Sequence, residues 1–331
     1  MIKINETKFT KVIIICPAFS VTGGPELLHQ LASSLNDEGM DASICYYPFG
    51  SQTHITPEYQ HYNTGVIKLP SDLQSYAVLV SEYHTKVLSN LNSCKKIVWW
   101  LSVDNYFRYK DNNVVKNLFK RLLGPFVFRT PIRNLQGCIH LAQSQYAMDF
   151  LERHGLSGIY LGDYLSKHHK PKKIDCTKED WIAYNPKKSS VFVSAMAKRF
   201  PQLVFKPIAG LSPEGVNLLL HSCKVYLDFG RHPGKDHLPR EAALAGCCVI
   251  TGRRGSAQNK IDIPIPNKYK FSDKITDQNL ENINDLIIKT FTNYKLKQAD
   301  FDDYCTTIAD EYEKFCSDVI KIFGDYIHAK K

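Results

Sequence analysis

No run of about 18 uninterrupted apolar residues occurs in this 331-residue chain, so the sequence offers no candidate membrane-spanning helix. Neither a GxxxxGK(S/T) loop nor an HExxH pair is present, and no Ser-His-Asp pattern emerges. Those absences exclude the P-loop, zinc-helix protease and serine-hydrolase readings. The ten cysteines show no CxxC pair and no metal spacing. Several, including Cys16, Cys45 and Cys138, sit in apolar runs, where cysteine acts as a small buried hydrophobe. That usage suits a reducing compartment. Residues 1–11 are polar, and the apolar run Val12–Cys16 is too short for a signal-peptide core, so a cytoplasmic location is expected. No DxD pair follows a strand. Asp302 and Asp303 fall in a helical tail, so no metal site is expected.

The rest of the composition is ordinary. Hydrophobic residues make up 44% and charged residues 23%, and the length suggests about two domains. The formal charge of +9 fits a phosphate-bearing or polyanionic partner, and fits equally a basic surface that keeps the chain soluble.

The densest chemistry lies in Val225–Asn259, which reads as strand, polar loop, helix, strand, polar loop. Val225–Phe229 is a buried strand. Gly230–Pro239 gathers Arg231, His232, Lys235, Asp236 and His237 into one loop. Arg240–Ala245 favours helix, with Gly246 as its C-cap. Cys247–Thr251 is the next strand, and Gly252–Asn259 carries Arg253, Arg254, Gly255 and Ser256. Both charged loops follow carboxyl ends of strands, where open α/β sheets bind ligands. Clustered cations beside small residues suit a phosphorylated ligand, because backbone N–H groups and guanidinium forks both donate to phosphate.

The first half alternates strand and helix, which predicts an α/β fold with a parallel sheet. Strands are expected at 12–17, 42–47, 77–81, 96–101, 139–142 and 159–161. Between the first strand and its helix lies FSVTGGPE, in which Gly23 and Gly24 either admit a ligand to the backbone or simply turn tightly. Residues 114–128 break the rhythm with an apolar stripe and Lys116, Lys120 and Arg121. This basic amphipathic segment, with Arg129 and Arg133 after it, either touches an anionic membrane through 114–133 or packs on its own domain. Residues 163–174 read as a polar, basic linker. The second half restarts with strands at 181–184 and 203–207 and helices at 191–200 and 212–221. Asp277–His328 reads as a long helical tail.

The GGPE turn, DFG at 228–230, REAALAGCCVI at 240–250 and GSA at 255–257 together resemble a GT-B glycosyltransferase. The likeness is architectural over most of the chain and densest over 208–259. It implies two Rossmann-like domains facing across a cleft, 1–162 for acceptor and 175–275 for nucleotide-sugar, with the tail 276–331 packing back across them. REAALAGCCVI is similar to the segment of the retaining branch whose glutamate contacts the nucleotide ribose, which puts Glu241 in that role. The same residue type is also favoured at a helix N-terminus by the dipole. That branch carries a second glutamate eight positions earlier. Pro233 stands there in this chain, so HPGKDH (232–237) departs from the motif.

Transfer from a nucleotide sugar breaks the bond to a phosphate leaving group, whose developing charge needs a metal or fixed cations. Without paired carboxylates after a strand, Lys187, Arg231, Lys235 and Arg253 are the expected cations. Gly255 and Ser256 are expected at the donor. His232, Asp236 and His237 either touch the sugar or order their loop, and Lys235 has Asp236 beside it as a possible ion-pair partner. An inverting reaction would also need a base on the first domain. Asp104 is the first candidate there, or else the start of an Asx turn with Ser102 and Asn105. Glu82 and His84 are the other residues just beyond strand ends. The resemblance implies transfer to a glycan or lipid-linked glycan in surface-polysaccharide synthesis, with no cofactor besides the donor and no nucleic-acid partner. The alternatives are a nucleotide-sugar epimerase and a non-catalytic glycan-binding protein.

Overall fold

A computed structural model describes residues 9–107, 129–167, 169–172 and 174–327. Of the basic segment expected to contact a membrane, 114–133, residues 114–128 lie outside the described residues. Contacts divide the chain into two compact units, Met1–Asp163 with Glu313–Lys331, and Tyr164–Tyr312.

The apolar runs of the first half form a seven-stranded sheet: β1 (Lys11–Pro17), β2 (Asp41–Tyr47), β3 (Gly65–Val66), β4 (Tyr76–Ser81), β5 (Lys95–Trp100), β6 (Ile139–Ala142) and β7 (Gly158–Tyr160). Their order is β3-β2-β1-β4-β5-β6-β7, and every pairing is parallel. Ile13, Ile15, Val78, Val80, Val98 and Trp100 build the core on one face, while Ile14 and Leu79 are equally buried on the other. Burial of both faces explains why IIIC and AVLV are continuous rather than alternating. Trp100 packs on Tyr106 and Phe150, and its Nε1 donates to His140 Nδ1 at 3.1 Å. Cutting it to alanine would cost about 3–5 kcal/mol. The helix Gly23–Asp37 turns Leu27, Leu28, Leu31, Ala32 and Leu35 inward, the stripe its spacing predicts. The last helix, Glu311–Ile327, brings Phe315, Val319 and Phe323 into burial, and the Phe315 ring stacks 6.5 Å from Trp99.

The second unit repeats the plan with β8 (Glu179–Tyr184), β9 (Val204–Pro207), β10 (Cys223–Asp228), β11 (Cys248–Gly252) and β12 (Lys270–Phe271). The order is β12-β11-β10-β8-β9, again all parallel. Two helices begin earlier than their apolar spacing suggests. One spans Pro186–Arg199 rather than starting at Val191, because Asn185 Oδ1 accepts from Lys187 N at 3.0 Å and proline occupies the first turn. The other spans His237–Leu244 rather than starting at Arg240, with Pro239 in a first turn that needs no N–H from it. The two-residue strands β3 and β12 are too short to leave a pattern. Residues assigned by sequence to the tail also enter the second unit's core, among them Leu280, Ile283, Ile287, Tyr304 and Ile308. Leu165, inside the expected linker, joins the same core.

Candidate functional site

In each sheet the strand order reverses once, between β1 and β4 in the first and between β8 and β10 in the second. At such a reversal the crossover connections leave toward opposite faces, opening a crevice at the carboxyl ends of the two strands. The second unit's reversal point carries its densest charge. Asp228 ends β10, Lys188 lies in the first turn of the helix after β8, and the loop after β10 adds His232 and Asp236.

His232 is fully buried, with Nδ1 3.1 Å from Asp236 Oδ2 and Nε2 3.5 Å from Asp228 Oδ1. Neither contact has the alignment of a hydrogen bond, and the ring sits between two carboxylates. Burial opposes the charged ring, but Asp228 and Asp236 outweigh it and hold the His232 pKa above its ordinary value. Burial likewise opposes the Asp236 carboxylate, yet His232 and Lys188 bring its pKa down to about 2. Lys188 Nζ donates to Asp236 at 2.5 Å, and Tyr226 donates its hydroxyl to Asp228 Oδ2 at 3.1 Å. For Lys188, burial is again outweighed by Asp236 and Asp228, and its pKa is raised.

Two glycines make this packing possible. A Cβ on Gly230 would lie 2.4 Å from Lys188 Cβ, so only glycine lets the lysine stem pass. Gly255 has φ +60 and sits so close to the neighbouring loop that a Cβ would fall 2.0 Å from the His232 carbonyl oxygen. Ser256 completes the staple: its N–H donates to His232 O at 2.9 Å and its hydroxyl to Gly234 O at 2.7 Å. The two loops that sequence singles out are thus bound to each other.

The expected cations separate into two groups. Arg231 and Lys187 are exposed at the strand ends. Arg253 instead directs Nε to the Lys270 carbonyl at 3.0 Å. Lys235 does not pair with Asp236. Its Nζ reaches Glu311 Oε1 at 2.9 Å, and Arg240, almost wholly buried, reaches Glu311 Oε2 at 2.7 Å. Arg240 also donates through Nε to the Asp236 carbonyl at 3.2 Å. Glu241 is buried, with His169 Nδ1 3.3 Å from its Oε1, and the His169 ring lies 4.9 Å from that of His237. Sequence reasoning passed over Lys188, Asp228, Arg240, Glu311 and His169. Asp228 left a signal, as an acid closing an apolar strand, whereas Glu311 left none.

The first unit's reversal point holds the turn with Gly23 and Gly24, and a Cβ on Gly24 would meet nothing within 4 Å. Beyond β4, Glu82 is buried and accepts from Leu101 N at 2.9 Å. Burial pushes its pKa up to about 7, against backbone donors that pull it down. Burial, with help from the Arg129 charge, lowers the His84 pKa to about 4. Asp104 Oδ1 accepts from the Tyr146 hydroxyl at 2.9 Å. The Asp104 carboxylate therefore bonds to a side chain 42 residues away in sequence.

No protein-family model matches the chain, and no curated protein matches its sequence. Solved structures do match its fold. HepE of Anabaena in complex with UDP and glucose aligns with a TM-score of 0.61 at 11% identity, covering 97% of this chain and 99% of that one. WaaG, described as a glycosyltransferase involved in lipopolysaccharide biosynthesis, aligns with a TM-score of 0.59 at 11% identity, covering 95% and 100%. TarM aligns at 0.51 and 11% identity, where 78% of this chain spans 55% of that protein. The fold is that of GT-B glycosyltransferases, with a parallel sheet in each unit.

Proposed function

We propose that this chain is a glycosyltransferase that moves a sugar from a nucleotide-sugar donor to a glycan or lipid-linked glycan. The observation that carries the reading is the His232–Asp228–Asp236–Lys188 cluster at the strand reversal of the second sheet. The buried His232 and the half-buried Lys188, held by two carboxylates, fix a loop whose outer face presents Arg231. Similar folds solved with UDP, and with UDP and glucose, make uridine diphosphate sugars the first donors to test.

In this reading the bond from the anomeric carbon to the donor phosphate oxygen breaks and leaves negative charge on the departing diphosphate. Arg231 and Lys187 stand at the carboxyl ends of β10 and β8, where they would meet that charge without a metal. Glu241, in the second turn of its helix, accepts from the ribose diol. Lys235 and Arg253, already engaged within the protein, hold the loops rather than the phosphate. On the first unit, Glu82 and Asp104 are the candidate bases for the acceptor hydroxyl. With a pKa near 7, Glu82 is better matched to taking a proton at neutral pH. The protein acts in the cytoplasm, at the inner membrane face if the basic segment 114–133 binds anionic lipid.

A thermal-shift panel of nucleotides and nucleotide sugars tests the reading. A true donor at about 100 times its dissociation constant adds about 2.7 kcal/mol of stability. Glu241→Ala should weaken that donor about ten- to a hundred-fold, the worth of one charged hydrogen bond. Absence of any nucleotide response in the wild type overturns the proposal.

A further inference from the structure

The carboxyl edge of the first sheet displays aromatic side chains that its core does not use. Tyr47, the last residue of β2, is 37% exposed, Phe49 is 43% exposed, and Tyr83, just past β4, is 44% exposed. They form one connected group. The Phe49 ring meets Tyr47 edge-on at 5.3 Å, Tyr47 meets His84 at 5.4 Å, and His84 meets Tyr83 at 5.2 Å. Arg129, itself buried, stacks its guanidinium 3.8 Å from the Tyr83 ring and fixes that ring's orientation. These rings lie on the two sides of the strand reversal, because β1 sits between β2 and β4. In the β1 loop Phe19 is 76% exposed and held at φ +54, a left-handed conformation that disfavours a bulky side chain.

A second observation points to a ligand. His84 is 8% exposed, and its Nδ1 is buried with no hydrogen-bond partner. Burial and the Arg129 charge both disfavour protonation, so the ring is a neutral imidazole at physiological pH. A buried imidazole nitrogen with an unmade hydrogen bond is costly, and such groups in native proteins call for an explanation. Exposed ring faces around one neutral donor–acceptor match a ring that carries C–H groups on one face and hydroxyls at its edge.

We infer that Tyr47, Phe49, Tyr83 and His84 form a cradle for a neutral pyranose of the acceptor glycan, whose apolar face stacks on the aromatic rings while one hydroxyl bonds His84. The term acceptor rests on the function proposed above; the sugar-binding claim rests on the cradle alone. Tyr83 and Phe49 are positioning groups that set which sugar face is presented. The fixed Tyr83 ring makes it the strongest contact, since a ring already oriented loses little freedom on binding.

The test is an array of immobilised oligosaccharides built from neutral hexoses, probed with the full-length wild type and with Tyr83→Ala, Phe49→Ala and His84→Gln. UDP binding is measured on the same preparations. Wild type should retain neutral glycans. Tyr83→Ala and Phe49→Ala, both at exposed positions, should each weaken retention roughly three- to ten-fold with melting temperature and UDP binding unchanged. His84→Gln reports on the hydroxyl contact and is compared at equal folded fraction. Equal retention by Tyr83→Ala and wild type overturns the cradle, as does a wild type that binds UDP and no neutral glycan. A wild type that retains glycans through Tyr83 yet ignores every nucleotide would overturn the transferase reading and leave the cradle standing.

Discussion

Arg240 and Glu311 stand 71 residues apart and meet as a buried ion pair, Nη1 to Oε2 at 2.7 Å. Lys235 shares the same carboxylate, and Arg240 also donates to the Asp236 carbonyl through Nε. A residue in the expected tail therefore braces the charged loop of the second unit. Glu311→Ala removes a carboxylate shared by two cations and should cost about 3–5 kcal/mol, read as a lower urea midpoint. UDP affinity should fall as well, because the loop loses its brace. A midpoint unchanged within error would mean that the pair does not form.

The His232 cluster gives the loop a defined pH window. The raised His232 pKa means its contribution is full below the ordinary value of 6.5 and is lost as pH rises through the folded value. The Asp236 pKa, lowered from 3.8 to about 2, means its contribution is full above 3.8 and is lost as pH falls toward 2. The cluster is thus strongest between about pH 4 and 6.5. Melting curves of wild type and His232→Gln should converge as pH is raised past that window; a constant gap would contradict a charged imidazole.

Glu82 behaves in the opposite sense to a salt-bridged acid. Its pKa rises from 4.5 to about 7 on burial, so the folded state binds the extra proton and loses stability as pH climbs through that range. The loss is of order 3 kcal/mol. Glu82→Gln, which keeps an acceptor for Leu101 N, should flatten this slope between pH 4.5 and 7 in denaturant titrations. If wild type and variant titrate in parallel, Glu82 is ionised throughout.

Gly255→Ala places a methyl 2.0 Å from a backbone carbonyl at a positive φ. The two loops must part, so we expect a loss above about 1 kcal/mol and a larger fall in UDP affinity. Calorimetry of both quantities decides whether the staple serves stability alone.

Metal removal separates two ways of stabilising the leaving phosphate. Turnover should survive EDTA and fall about a hundred- to a thousand-fold in Arg231→Ala. Loss in EDTA with recovery on adding magnesium or manganese would assign that role to a metal.

The strand plan was legible because a doubly covered parallel sheet writes itself as apolar runs; KVIIICP, YAVLVS and KKIVWW each became a strand. Ser144 and Ser212 cap helices, accepting from Ala147 N and Gly215 N, the role serine commonly takes just before a helix. The pairings inside the charged stretch were not legible. Asp236 looked local to Lys235, yet the lysine that reaches it, Lys188, comes from the helix after another strand. Ion pairing depends on where the loops converge, and sequence spacing does not record that. Glu311 carried no motif, since its role depends on a tail helix beginning beside Arg240 rather than on any local pattern.

The unit that begins the chain also includes residues that come after the whole of its neighbour. Phe315, which stacks on Trp99, leaves the ribosome only after residues 164–312 have been made. The first unit is started first and completed last, so nascent 1–163 must wait with Trp99 short of one packing partner. A peptide covering 313–327, supplied in trans to a fragment ending at 163, should therefore raise that fragment's melting temperature. Simple truncation at the unit boundary would yield an incomplete domain.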